Sequence, residues 1–167
     1  MSQTDPITLR FARRADCGTL LRFIQALADY EKLLHEVVAT EAQLEESLFG
    51  TYPGAEVLIA EWLGKPAGFA LFFSNYSTFL ARPGIYLEDL FVYPRFRGRG
   101  IGKRLLRNIA AIAVERGCGR LDWSVLDWNQ PAIDLYLSLG ARALTDWTQY
   151  RLAGESLVQL AAAQNPS

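Results

Sequence analysis

Histidine and cysteine are nearly missing from this chain: His35, Cys17 and Cys118 are the only ones in 167 residues. Three such residues cannot build a Cys/His zinc cluster, and a Ser-His-Asp triad would depend on His35 as its sole base. Two cysteines make no disulfide framework and suit a reduced, cytoplasmic compartment. No run approaches the ~18 apolar residues of a membrane span; Ile109–Val114 is a short stretch inside a charged helix. The opening MSQTDPITLRFARR carries no apolar h-region, so no secretory signal is expected. Neither sign of charge is in excess, with 17 basic and 18 acidic side chains, net −1, which argues against a generally basic nucleic-acid binder. Chemistry must therefore come from carboxylates, tyrosines, hydroxyls and backbone amides.

Half of the residues are hydrophobic. A chain of this length suits a single domain, residues 1–167, which buries roughly 70% of its unfolded surface without staples. Ile7, Leu9 and Phe11 alternate as an opening strand. Asp16 is placed to cap a helix carrying Leu20, Ile24 and Leu27 and ending near Lys32. Thr40 with Gln43 forms a capping box for a shorter helix through Leu48. Glu56–Trp62 and Ala67–Tyr76 read as two strands joined at Gly64-Lys65-Pro66, with a loop over 75–84 and a third strand at Ile85–Val92. A helix with Ile101, Leu105, Ile109 and Ile112 on one face stops at Gly117. Arg120–Leu126 reads as a strand. Asn129 caps a helix with Pro131 in its first turn and Gly140 at its end. Strands are expected near Ala141–Asp146 and Gln149–Leu152, then one or two helical turns from Glu155. The pattern is α/β with a mixed sheet.

The stretch RFRGRGIGKRL sits between a strand and a helix. A Walker A loop needs a glycine where Arg97 stands and a hydroxyl where Arg104 stands, so an NTPase reading fails. A dinucleotide fingerprint needs a third glycine where Lys103 stands, and that fails too. Arg97-x-x-Gly100-x-Gly102 remains. Glycines allow close backbone approach, a helix N-terminus offers unpaired N–H groups to a pyrophosphate, and Arg95, Arg97, Arg99 and Lys103 add positive charge. A tight turn with solvated arginines is the bland alternative.

In this setting the loop resembles the acyl-CoA-binding motif of the GNAT N-acetyltransferases. YLEDLFVYPRFRGRGIG, LADYEKL and DWNQPAIDLYLSLGA sharpen the resemblance to the diamine acetyltransferases, the spermidine/spermine and thialysine N-acetyltransferase subfamily, over about Ile7–Leu152. The resemblance implies a twisted, mostly antiparallel mixed sheet splayed between its fourth and fifth strands, flanked by helices. Ile85–Val92 and Arg120–Leu126 would be that pair. It also implies acetyl-CoA as co-substrate, no metal, a homodimer, and a small-molecule amine as acceptor rather than a nucleic acid or a membrane.

Residue roles follow by the same resemblance. Acetyl-CoA would contact Leu90, Phe91, Val92, Arg97, Gly98, Arg99, Gly100, Ile101, Gly102, Lys103, Asn129, Gln130, Pro131 and Ala132. The amine would contact Tyr30, Glu31, Glu88, Asp122, Trp123 and Ser124. Strict alternation puts Glu88 on the face of Tyr86, Leu90 and Val92, and Asp89 on that of Ile85, Leu87 and Phe91. Two carboxylates in so apolar a strand are costly unless hydrated, paired or used. Glu88 matches the acid that accepts the amine proton, directly or through water, while Asp89 serves structure or substrate charge. Tyr136, by itself a packing tyrosine, matches the general acid that protonates the departing thiolate. Asn129 can cap its helix as well as touch the coenzyme. Thr148 stands where polyamine-acetylating members carry a carboxylate, which weighs against long polyamines. Two rivals remain: acceptance of a thialysine-like amino acid or protein lysine, and a non-catalytic CoA-binding module. A nucleic-acid patch is disfavoured by the confinement of the arginines.

Overall fold

The computed structural model describes residues 5–163. Chain contacts divide into two compact units, with the boundary between Leu126 and Asp127.

The first unit is a five-stranded sheet in the order β1-β2-β3-β4-β5 with helices on both faces. Its strands are β1 (Ile7–Phe11), β2 (Glu56–Trp62), β3 (Lys65–Ser77), β4 (Arg82–Val92) and β5 (Leu121–Trp123). Its helices are α1 (Cys17–Tyr30), α2 (Glu41–Phe49) and α3 (Ile101–Glu115). Strands β1 to β4 pair antiparallel, and β5 joins β4 in parallel after the α3 crossover that a parallel pair requires.

One face of the sheet packs α1 and α2. Cys17, Leu20 and Phe23 meet Leu44, Leu48, Val57, Ile59, Phe69 and Phe91, with the Phe23 and Phe69 rings stacked 5.3 Å apart. The opposite face takes the buried stripe of α3, Ile101, Leu105, Ile109 and Ile112, as its helical period anticipates. Thr40 and Gln43 form the expected capping box. Asp16 stands at the N-cap of α1 but does not cap it. Its carboxylate is held by Arg10 at 2.8 and 2.9 Å and by the Arg13 N–H at 2.7 Å, a charged partner outcompeting the helix N–H groups.

Three stretches differ from the sequence pattern. Trp62 pairs with Lys65, so the β2–β3 turn is Leu63-Gly64, both at positive φ, and Pro66 lies in the strand. The β3–β4 hairpin continues through Asn75↔Gly84, Tyr76↔Pro83 and Ser77↔Arg82, where a long loop was expected. Pro83 marks an edge-compatible strand position as readily as a loop. On the other side, β5 is only three residues long and not the whole of Arg120–Leu126. It pairs with Ile85–Leu87 alone, so Asp89–Val92 is paired to β3 but to no strand of the β5 side among the described residues. That is the splay implied by the family resemblance.

The second unit holds α4 (Gln130–Ser138) and α5 (Gly154–Ala162). Asn129 caps α4, its side chain accepting from the Ala132 N–H at 3.4 Å, and Gly140 ends it at φ 87°. The strands expected at Ala141–Asp146 and Gln149–Leu152 are not formed. Alternation is a necessary but insufficient condition: two short strands are marginal without further strands to pair with.

Candidate active site

The end of β4 brings together the LADYEKL segment and the YLEDLFVYPRFRGRGIG segment. Its register runs Leu71↔Asp89 and then Phe72↔Leu87, which leaves Glu88 with no residue opposite. This is a β-bulge, and it overturns the strict alternation expected for the two acids. Across the bulge the parity changes. Asp89 shares the α1 face with Leu71, Phe69 and Phe91, whereas Leu87 and Ile85 share the opposite face with Phe72 and Leu90. Glu88 is exposed and Asp89 partly buried.

That geometry sets the electrostatics. Burial, then Glu88, then Glu31 push the Asp89 carboxyl up to about 6. Burial also raises Glu31, the residue just past the end of α1. Three carboxylates therefore share one region, one of them in reach of neutral pH. Such a cluster is relieved by a bound cation.

Tyr30, Arg97 and Val92 are also brought together. Arg97 Nε donates to the Val92 carbonyl at 3.0 Å, and its guanidinium lies 4.6 Å from the centre of the Tyr30 ring and 5.7 Å from that of Phe91. The side chain expected to add charge around a pyrophosphate is thus folded back over β4. Arg99 likewise lies 4.6 Å over the Trp62 ring.

What the loop offers an anion is its backbone. Gly98 and Gly100 sit at φ 73° and 80°, in the left-handed region, and a Cβ built on either meets nothing within 4 Å. Gly100 is the N-cap of α3, with no side chain closing the terminus ahead of Ile101, Gly102 and Lys103. An open cradle at a helix N-terminus fits a pyrophosphate.

Asp122 and Ser124 have protein partners instead. The Asp122 carboxylate meets Arg120 at 2.9 Å and Asn75 at 3.3 Å, and the Ser124 hydroxyl lies 2.7 Å from that of Tyr86. Trp123 is the β5 partner of Leu87. In the second unit, Gln130 opens α4 with its amide 2.6 Å from Asp134, followed by Pro131 and Ala132. Tyr136 lies in the middle of α4, its carbonyl receiving the N–H groups of Leu139 and Ala141 at 3.1 Å. Asp89 is the residue to which sequence reasoning gave too little weight. Its signal was present as a second acid in an apolar strand, but the bulge that turns it toward Glu31 leaves no mark in the alternation.

An open mixed sheet, a glycine cradle beyond its fourth strand and a helix after its fifth define an acyltransferase of the acetyl-CoA-using kind. Residues 21–141 match the Acetyltransferase (GNAT) family, and the chain belongs to that family. It is 41% identical over 166 residues to the thialysine N-epsilon-acetyltransferase of Sus scrofa, covering 93% of this chain and 97% of that protein. It is 32% identical over 194 residues to an L-ornithine N5-acetyltransferase of Arabidopsis thaliana, covering 89% and 85%. A solved integron cassette protein from the mobile metagenome of V. cholerae superposes with a TM-score of 0.80 at 28% identity, covering 95% of this chain and 99% of that one. The protein is an amine N-acetyltransferase that draws its acetyl group from acetyl-CoA.

Proposed function

We propose that the chain acetylates the primary amine of a small cationic molecule, diamine- or polyamine-like, by direct attack in a ternary complex. The observation that carries this reading is the acidic cluster of Glu31, Glu88 and Asp89 at the splayed end of β4, beside the glycine cradle. An ammonium with pKa near 10.4 must lose a proton before it attacks a thioester. Glu88, exposed on its bulge, takes that proton through water. A backbone N–H of Leu90–Val92 receives the developing oxyanion. Tyr136 protonates the departing thiolate, the general-acid role that a tyrosine hydroxyl can fill. Acetyl-CoA lies with its pyrophosphate on the Arg97–Lys103 cradle and against Asn129–Ala132. Tyr30, Asp122, Trp123 and Ser124 line the amine side. No step calls for a metal.

The family match runs across the boundary between the two units, which supports a single catalytic domain over 1–167. Free cysteines suit a cytoplasmic enzyme, and the family resemblance extends to a homodimer. A second reading, the side-chain amine of a diamino acid, draws on the relatives named for thialysine and for L-ornithine. Thr148, in place of an acid, favours either short acceptor over a long polyamine.

A panel of diamines, polyamines, thialysine, L-ornithine and neutral-tailed amines, assayed by thiol release, tests both readings. Dications should lead. A neutral-tailed amine at the head of the panel would sink the cationic acceptor, and no release with any amine would sink the enzyme mechanism.

A further inference from the structure

The Arg97 side chain leaves the loop that its backbone begins. Preceded by the turn Pro94–Phe96, the residue is extended at φ −66° and ψ 163°, and its guanidinium returns across the end of β4. There it meets Tyr30, the last residue of α1. The end of α1 is itself firmly closed. Glu31 N–H bonds to Leu27 at 2.9 Å, Lys32 N–H to Asp29 at 3.0 Å, and Leu33 N–H to Ala28 at 2.7 Å, with Lys32 at φ 62°. A cation near a helix C-terminus also meets the negative end of its dipole. The helix end, the last carbonyl of β4 and the first residue of the glycine motif are therefore joined through one guanidinium. The residue next to Tyr30 is Glu31, whose charge is felt at Asp89.

We infer that Arg97 is a positioning residue that couples the two half-sites: through its Tyr30 and Val92 contacts, the acyl-donor loop and the amine-binding end of α1 move as one element. The inference rests on the reading above of which ligand each half holds. A point charge for the pyrophosphate would act on the donor alone. A bridge must act on how each ligand alters the affinity of the other, because coupling between two sites is reciprocal.

Calorimetry with CoA and thialysine, a pair that binds without turnover, reads this directly. The wild-type chain should bind CoA about fivefold or more tightly when thialysine is saturating, and thialysine more tightly by the same factor when CoA is saturating. Arg97→Met and Tyr30→Leu should each bring that factor to within twofold of one, and the double variant should change it no further. Tyr30→Trp, which keeps an aromatic face under the guanidinium, should retain the coupling. Arg97→Lys keeps the charge but loses the fork that joins carbonyl and ring, and should lose most of it. These two also carry the test if either truncation fails to fold.

Weaker CoA binding with an unchanged coupling factor in Arg97→Met would overturn the inference and leave the proposed function standing. A wild type with no coupling would do the same. A wild type that binds no CoA at all would overturn both.

Discussion

The two halves of the proposed site at the end of β4 are built from opposite materials. The donor half is backbone: Gly98 and Gly100 at positive φ, open space where side chains would be, and the uncapped start of α3. The acceptor half is side chain: Glu31, Glu88 and Asp89, two of them with carboxyls raised by burial. A backbone cradle reads an anion's shape and is indifferent to what the anion carries. A cluster of carboxylates reads charge number and spacing. In the proposed reading the donor half would serve any acyl-CoA, and acceptor choice would rest on a few replaceable acids.

The contrast can be broken at its strongest point first. Tyr136→Phe should lower kcat by ~10²–10⁴-fold with the KM for acetyl-CoA unchanged, measured by steady-state thiol release. A loss under about fivefold would make Tyr136 a packing residue. Next, Gly100→Val forces a β-branched residue to φ 80° and fills the cradle, so the acetyl-CoA KM should rise roughly tenfold or more while the amine KM holds. Equal shifts in both would erase the division between halves.

Asp89→Asn should do the reverse, raising the KM of a dication about three- to tenfold and leaving that of acetyl-CoA alone. It also has a signature in stability. With its carboxyl raised to about 6, folded Asp89 keeps a proton that the unfolded chain has already released near pH 4. Folding is favoured by that proton at low pH, and the advantage is lost as pH rises through about 6. The Tm gain of Asp89→Asn should therefore be small at pH 4 and grow to a few degrees at pH 8 by scanning calorimetry. A gain that does not change with pH would mean Asp89 ionises normally. The smallest effect belongs to Glu31→Gln, which should raise KM for a diamine only a few-fold more than for a monoamine of equal length. Equal shifts would remove Glu31 from the reading of the distal charge.

What could be read without coordinates follows from how local each signal is. The Thr40–Gln43 box, the α3 stripe and the Asn129 cap are set within one or two turns, and all are formed. The glycine motif was legible for the same reason. Where the outcome depends on a remote partner, the pattern misled. Asp16 chose Arg10 over its own helix, and Ala141–Leu152 alternates without pairing. The placement of Asp89 belongs to this second kind, since a bulge is decided by two strands in register and the sequence of one shows only an ordinary alternation.

The unpaired Glu88 also changes how this chain tolerates length variation. Strand β4 is two addresses joined by a spacer: residues before it are filed to one side of the sheet by one rule, and those after it by the opposite rule. Deleting that single residue would not merely remove a carboxylate. It would make the pairing regular, with Leu87 and Asp89 adjacent and each keeping its β3 partner and its face, and would remove the local kink that the bulge puts into the strand. Substitution at position 88 tests the carboxylate with the bulge in place, whereas deletion tests the bulge itself, and the two should never be read as the same experiment.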